Sequence, residues 1–132
     1  MPIVTTIEGR IAQVAIDRPE KRNTLSSELC KDLAREFLEL NDDTRVRSIV
    51  LCGHNNVFCA GLDIEEQLAE NTPIFNEFQK VIDALDALSK PVVAAVSGPA
   101  VSQGAAMLYH CDLVFAGEHA LFSMPGLALG QT

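Results

Sequence analysis

Two short stretches combine small residues with a change from an apolar run to a helical pattern. The first covers residues 56–64 and contains Gly61, and the second covers residues 97–106 and contains Gly98 and Gly104. Backbone N–H groups at a helix start have no partner inside the helix and can bind an anion. Two such groups that converge on one point form an oxyanion hole, which stabilises negative charge developing on a carbonyl oxygen. The alternative is a pair of ordinary strand-to-helix turns whose glycines serve chain geometry only.

Other site chemistries find little support in the residue pattern. Neither turn carries a Gly-Lys-Ser/Thr or G-x-G-x-x-G sequence, which argues against a nucleotide site. The cysteines form no C-x-x-C pair, and the three histidines are scattered along the chain. We therefore predict no metal site and no disulfide, but free, buried thiols in a reducing compartment, at Cys30, Cys52, Cys59 and Cys111.

Hydrophobic periodicity predicts the elements that must position the two turns. Residues 3–7 and 10–16 are β-rich runs joined at Glu8-Gly9 and predict an antiparallel hairpin. Apolar residues at helical spacing from Leu25 to Leu40 predict an amphipathic helix capped by Ser26 or Thr24. Further strands are predicted at 48–52, 92–96, 113–116 and 121–123, and further helices at 62–69, 73–88 (opened by Pro73 at its first position) and 103–110. This order predicts an α/β fold with a largely parallel sheet whose strands are covered by helices on both faces.

Composition narrows the class of protein. The 132 residues are 48% hydrophobic with a mean hydropathy of +0.16, so the chain must bury a core of one domain. The balance of 10 basic against 18 acidic residues, spread along the chain, argues against nucleic-acid binding. No apolar run approaches the ~20 residues of a membrane span, and no signal peptide is recognisable, so we expect an intracellular protein without membrane insertion.

Five ordered segments resemble the successive signatures of the crotonase, or enoyl-CoA hydratase/isomerase, superfamily. They are residues 18–23, 58–64, 96–101, 111–116 and 120–125. The resemblance implies a ββα spiral in which residues 1–132 form a truncated N-terminal core that lacks the C-terminal helical part. It also implies an acyl-CoA thioester as partner, homotrimers or hexamers at full length, and no cofactor beyond the coenzyme A of the substrate. The compartment would be cytoplasmic, or peroxisomal or mitochondrial in a eukaryote.

The resemblance also assigns roles to individual residues. The backbone N–H groups of Leu62 and Gln103 correspond to the two oxyanion donors, and the family usually has a glycine where Gln103 stands. Contacts to coenzyme A map onto Lys21, Arg22, Ala60, Gly61, Asp63 and Ile64. The acyl pocket maps onto Met107, Met124 and Leu127.

Two departures from the family pattern bear on the reaction. Hydratases of this family carry two glutamates, at positions where this chain has Ala106 and Gly126. Because water addition needs groups that activate the water and handle the proton, a standard hydratase is not expected. Residues 98–101 and 122–132 are closer to peroxisomal-type Δ3,Δ2-enoyl-CoA isomerases, whose single glutamate base would lie beyond Thr132. We therefore expect this chain alone to be inactive and to associate through exposed apolar surface.

Two rival interpretations stay open. One is another crotonase reaction, such as a hydratase-like step, a decarboxylation or a ring closure. The other is a non-catalytic acyl-CoA-binding scaffold that kept the fold without the base.

Overall fold

A five-stranded sheet forms the centre of the computed structural model, which describes residues 2–69 and 73–125. Its strands lie in the order β1-β2-β3-β4-β6. They are β1 (Ile3–Glu8), β2 (Ile11–Ile16), β3 (Ser48–Gly53), β4 (Val92–Val96) and β6 (Leu113–Ala116). A smaller two-stranded sheet pairs β5 (Pro99–Val101) with β7 (Leu121–Ser123).

Among the strands of the described residues, β1 and β2 alone pair antiparallel, with Ile3 opposite Ile16. The pairs β2–β3, β3–β4, β4–β6 and β5–β7 are all parallel. The structure thus confirms the predicted hairpin and the largely parallel α/β sheet.

Four α-helices lie in the part of the chain that the structure describes. They are α1 (Ser27–Asp42), α2 (Ile64–Leu68), α3 (Ile74–Ala87) and α4 (Gln103–Ala106). Ser26 caps α1, because its side chain accepts a hydrogen bond from the Leu29 N–H at 3.0 Å, which confirms one of the two predicted caps. Pro73 is the residue before α3 rather than its first helical residue. The helix predicted over 103–110 is α-helical only to Ala106 and continues as a 3₁₀ turn over Met107–His110.

Helices α1 and α3 cover the same face of the large sheet. The side chains that β2, β3 and β4 direct to that face are buried in one cluster with Leu33 and Phe37 of α1 and Val81 of α3. The other face is open in the described residues and includes a groove of about 560 Å³ lined in part by Val50, Cys52 and Ala95. The prediction of helices on both faces is therefore wrong for this part of the chain. Apolar side chains lie on the open face as well. The sequence pattern of these strands is therefore the pattern of strands that are buried on both faces.

Strand β5 was not predicted from the sequence. It is three residues long and begins with Pro99, which a strand accepts at its first position because no ladder N–H is needed there. Just before β6, the Asp112 carboxylate accepts a hydrogen bond from the Val92 N–H at 2.8 Å. The significance of β5 is that it links the two turns described next.

Candidate oxyanion site

The two small-residue turns lie against each other. Cys59 forms a parallel bridge with Ala100 of β5. The Val101 N–H donates to the Cys59 carbonyl at 2.9 Å, and the Cys59 N–H donates to the Pro99 carbonyl at 3.2 Å. Gly104 completes the contact, since a Cβ at this position would lie 2.1 Å from the Cys59 carbonyl oxygen. Only glycine permits this approach, so the backbone itself joins the two turns.

The Leu62 N–H points away from the segment that pairs with the first turn. The Gly61 carbonyl accepts a hydrogen bond from the Leu25 N–H at 2.8 Å, and the Asp63 N–H donates to the Leu25 carbonyl at 2.9 Å. In a trans peptide the C=O and the following N–H point in opposite directions. The Leu62 N–H is therefore directed away from Leu25, and within the described residues it donates to no acceptor.

The Gln103 N–H, like the Leu62 N–H, points out of its turn. The Ser102 carbonyl accepts a hydrogen bond from the Ala106 N–H at 2.9 Å and so points along α4. Across the same peptide, the Gln103 N–H points the opposite way, out of the helix. It finds no hydrogen-bond acceptor in residues 2–69 or 73–125. The N–H of Ser102 itself is occupied, because it donates to the Ser123 carbonyl at 2.7 Å.

The two free N–H groups belong to residues on either side of a close contact between Gly61 and the second turn. Gly61 has φ +103°, and a Cβ placed on it would lie 3.4 Å from the Ser102 Cβ and 3.6 Å from Gln103 Oε1. Leu62 follows Gly61, and Gln103 follows Ser102, so each free N–H belongs to a residue beside this contact. The structure thus brings together the two turns that the sequence singled out, while the role of Leu62 and Gln103 as oxyanion donors stays a prediction.

A buried ion pair supports the first turn. Asp63 Oδ2 lies 3.0 Å from Arg18 Nη2, and both side chains are largely buried. The other oxygen of Asp63 accepts from the N–H groups of Glu65 and Glu66, which caps α2. Burial opposes ionisation of Asp63, but the hydrogen bonds from the Glu66 N–H and the Arg18 guanidinium outweigh it and lower the pKa of this carboxyl.

Asn23 holds the chain around this turn, and sequence reasoning assigned it no role. Its side chain is fully buried; it accepts from the Arg18 N–H at 2.8 Å and donates to the carbonyls of Val57 at 2.8 Å and His54 at 3.0 Å. Its φ of +58° suits asparagine, which tolerates the left-handed region. The available signal was its place at the end of the 18–23 signature, but a polar residue in a loop gives no hint of burial.

The residues predicted to contact coenzyme A surround the first turn. Lys21 Nζ lies 3.5 Å from Glu65 Oε2 at the surface. The exposed Arg22 accepts a hydrogen bond from the Ala60 N–H through its carbonyl, at 3.2 Å, and its guanidinium forms no ion pair within the described residues. Ile64 is 67% exposed. Their contact with coenzyme A stays a prediction.

The three residues predicted for the acyl pocket have different environments. A cavity of about 390 Å³ opens beside α4 and β7 and is lined by Ala105, Leu108, Tyr109, Val114, Phe122, Ser123 and Met124. Met124 thus faces a mainly apolar space. Met107 is fully buried in the core and does not line this cavity, and Leu127 lies outside the described residues.

The four cysteines are free thiols, and two of them, Cys30 and Cys59, are buried. Burial raises the pKa of each of these two to about 12, so neither is a nucleophile at neutral pH. Cys52 and Cys111 are half-buried, which departs from the prediction that all four are buried.

None of the helices in residues 2–69 and 73–125 combines the length and the hydropathy that crossing a bilayer requires.

Comparison with known proteins places this geometry in a family. The sequence matches the enoyl-CoA hydratase/isomerase family over residues 6–132. It is 35% identical to a short-chain-enoyl-CoA hydratase of Clostridium acetobutylicum, over 98% of this chain and 52% of that protein. It is 32% identical to the 2,3-dehydroadipyl-CoA hydratase of Escherichia coli, over 97% of this chain and 51% of that protein.

Solved structures agree with the sequence match. OdaA of Pseudomonas aeruginosa superposes with a TM-score of 0.88 at 35% identity, covering 98% of this chain and 53% of that one. The chain thus spans about half the length of the relatives it matches. With its fold and the two glycine-linked turns, it belongs to the enoyl-CoA hydratase/isomerase family.

Proposed function

We propose that this chain carries the oxyanion half of an acyl-CoA enzyme, in which the N–H groups of Leu62 and Gln103 bind the thioester oxygen of the substrate. The observation that carries the proposal is that both N–H groups point out of their turns without an acceptor in the described residues, while Gly61 and Gly104 hold the turns together. Removing a proton next to a thioester places negative charge on its oxygen, and such donors stabilise that charge.

The reaction we propose is the isomerisation of 3-enoyl-CoA to 2-enoyl-CoA. The C–H bond at C2 breaks, its electron pair forms the enolate, and one base returns the proton at C4 while the double bond moves. This reaction needs no activated water, which fits an alanine at position 106, whose methyl group can neither accept nor donate a proton. We expect the single base beyond Thr132 and a homotrimer or hexamer for the complete protein.

A hydratase is the second candidate, because the relatives from Clostridium acetobutylicum and Escherichia coli named above are hydratases by name. Against it stands Ala106, which leaves no carboxylate on α4 to handle the proton or the water. A non-catalytic acyl-CoA-binding scaffold is the third interpretation, since the same two donors bind a thioester without a base.

The test uses the complete protein that carries this chain. Isomerisation of 3-enoyl-CoA creates the ultraviolet absorbance of a conjugated thioester, whereas hydration of 2-enoyl-CoA removes it. We expect the first signal and not the second. Conversion of 2-enoyl-CoA alone would establish the hydratase, and binding of both substrates without any conversion would establish the scaffold.

A backbone variant tests the oxyanion donors directly. Leu62→Pro removes the N–H without breaking a hydrogen bond among the described residues, whereas Leu62→Ala retains it. We expect Leu62→Pro to lower kcat by about 10²–10³-fold and Leu62→Ala to change it much less. Circular dichroism on both variants checks that the fold is intact. Equal activity in the two variants would remove Leu62 from the proposal.

A further inference from the structure

The side chain of Gln103 stands at the junction of the two turns. Its Oε1 lies 3.6 Å from the position that a Gly61 Cβ would occupy, and the residue is half-buried. Within the described residues its side-chain amide makes no hydrogen bond. A glutamine amide offers two donor hydrogens and one acceptor oxygen. Both ends of this amide are therefore available to a ligand at the mouth of the site.

Nothing near the Gln103 side chain on its own helix competes for this amide. Ala106 lies one helical turn further along α4 and carries no polar side-chain atom. Gly104 and Ala105, the residues between them, also lack polar side chains and are buried. Gln103 is thus the polar side chain that α4 contributes next to Gly61.

The geometry points to Gln103 as a further catalytic residue: its side-chain Nε2–H donates a hydrogen bond to the carbonyl oxygen of a bound acyl-CoA thioester, beside the two backbone donors. The inference rests on the proposed function, because it assumes that the thioester oxygen binds between Leu62 and Gln103. A half-turn of the amide exchanges Oε1 for Nε2 at the same place.

The hydrogen bond strengthens as the reaction proceeds. When the base removes the proton at C2, the electron pair moves toward the thioester oxygen, and this oxygen becomes a better acceptor. Gln103 keeps its own protons throughout, since an amide is not acidic at neutral pH. A donor that binds the enolate more strongly than the ground-state thioester lowers the barrier rather than KM.

The test measures enolisation and turnover in the complete protein with acetoacetyl-CoA as the probe. The enolate of this compound absorbs in the ultraviolet, so a pH titration gives the pKa of the bound ligand. Gln103→Met keeps the backbone N–H and the approximate length but removes the side-chain donor. We expect it to raise the pKa of bound acetoacetyl-CoA by about one unit and to lower kcat at least tenfold. Gln103→Glu should have a larger effect, because it places a carboxylate beside the enolate.

Controls separate this role from a structural one. Gln79→Met makes the same change at an exposed position of α3 and should leave both values unchanged. Gln103→Gly retains the backbone donor and serves if Gln103→Met proves unstable. Affinity for a saturated acyl-CoA, whose C2–H is too weakly acidic to populate the enolate, should be similar in all the variants.

The outcomes distinguish this inference from the proposed function. A Gln103→Met protein with the wild-type pKa of bound acetoacetyl-CoA and the wild-type kcat would overturn the role of the side chain alone. A wild-type protein that binds acetoacetyl-CoA without enolising it, or does not bind it, would instead overturn the proposed function and the inference that rests on it.

Discussion

The two turns of the candidate site place a free N–H in a similar way but are held by different forces. The turn around Gly61 pairs with Leu25 and is supported by the buried Arg18–Asp63 ion pair and the hydrogen bonds of Asn23. The turn around Ser102 relies on main-chain contacts, namely the hydrogen bonds from the Val101 N–H to Cys59 and from the Ser102 N–H to Ser123, and the close packing of Gly104.

This difference indicates what each turn can tolerate. A turn fixed by hydrogen bonds and charge depends on polar partners and on pH, whereas a turn fixed by close packing depends on side-chain size. The second turn also contains a non-glycine residue, Ser102, at φ +55° and ψ −118°, a conformation that glycine usually adopts at the first central position of a type II′ turn. Four substitutions test this contrast.

Gly104→Ala should break the second turn by size alone. Its new Cβ would lie 2.1 Å from the Cys59 carbonyl oxygen, so the backbone of one turn must move. We expect a loss of about 3 kcal/mol in the free energy of unfolding, measured by urea denaturation of the complete protein. Gly9→Ala is the control: its φ is +62°, but nothing lies within 4 Å of the new Cβ, so it should lose only about 1 kcal/mol. Equal losses would show that packing against Cys59 does not hold the turn.

Asn23→Ala should weaken the first turn through lost hydrogen bonds. The matched control is Asn55→Ala, because Asn55 also has a positive φ, of +63°, but is exposed. Asn55 Nδ2 donates one exposed hydrogen bond, to Asp17 Oδ1 at 3.2 Å. Subtracting the two effects therefore cancels the backbone strain and leaves the difference between the buried hydrogen bonds of Asn23 and this surface bond. We expect Asn23→Ala to cost about 2 kcal/mol more than Asn55→Ala in urea denaturation. A difference near zero would mean that the buried amide does not stabilise the turn.

Asp63→Asn should make the first turn less sensitive to acid. The Asp63 pKa is lowered in the folded protein, so its carboxylate stabilises the fold above the unfolded-state pKa and loses this effect as the pH falls below about 4. At neutral pH we expect the variant to be less stable by about 1.5 kcal/mol. The gap between the two proteins should narrow in acid, as measured by thermal unfolding from pH 7 to pH 3. A gap that does not change with pH would exclude the ion pair as its cause.

Ser102→Gly should stabilise the second turn slightly. Glycine adopts the φ and ψ of this position without a Cβ clash, so the substitution removes backbone strain. We expect a gain of about 1 kcal/mol at most in the free energy of unfolding, reduced by the entropy that glycine gains in the unfolded chain. Ser97→Gly, at an exposed residue, serves as the control for that entropy. A Ser102→Gly loss as large as that of the control would show that the turn is unstrained.

Local patterns predicted most of the fold. The hairpin, α1 with its Ser26 cap and the buried strands follow from period-2 and period-3.6 patterns that neighbouring residues set together. Strand β5 and the short α4 were harder to predict, because Pro99 and Gly104 are weak in propensity and owe their structure to contacts with Cys59. Tertiary contact overrides local preference at these positions.

The site could be predicted only as far as the backbone. Small residues in two turns indicated free N–H groups, and the structure brings these turns together. The burial of Asn23 and the position of the Gln103 side chain over Gly61 depend on segments distant in sequence, and no spacing rule contains that information.

The proposed role of the Leu62 and Gln103 main-chain N–H groups as donors has a consequence for the evolution of such a site. Every amino acid except proline supplies the same N–H, so mutation can replace either side chain without removing the charge-stabilising groups. Substitutions at these two positions can thus change the side chains near the substrate while the main-chain donors are retained. At position 103 this chain has glutamine, where its resemblance to the family leads us to expect glycine, so this position is where such a change would be visible.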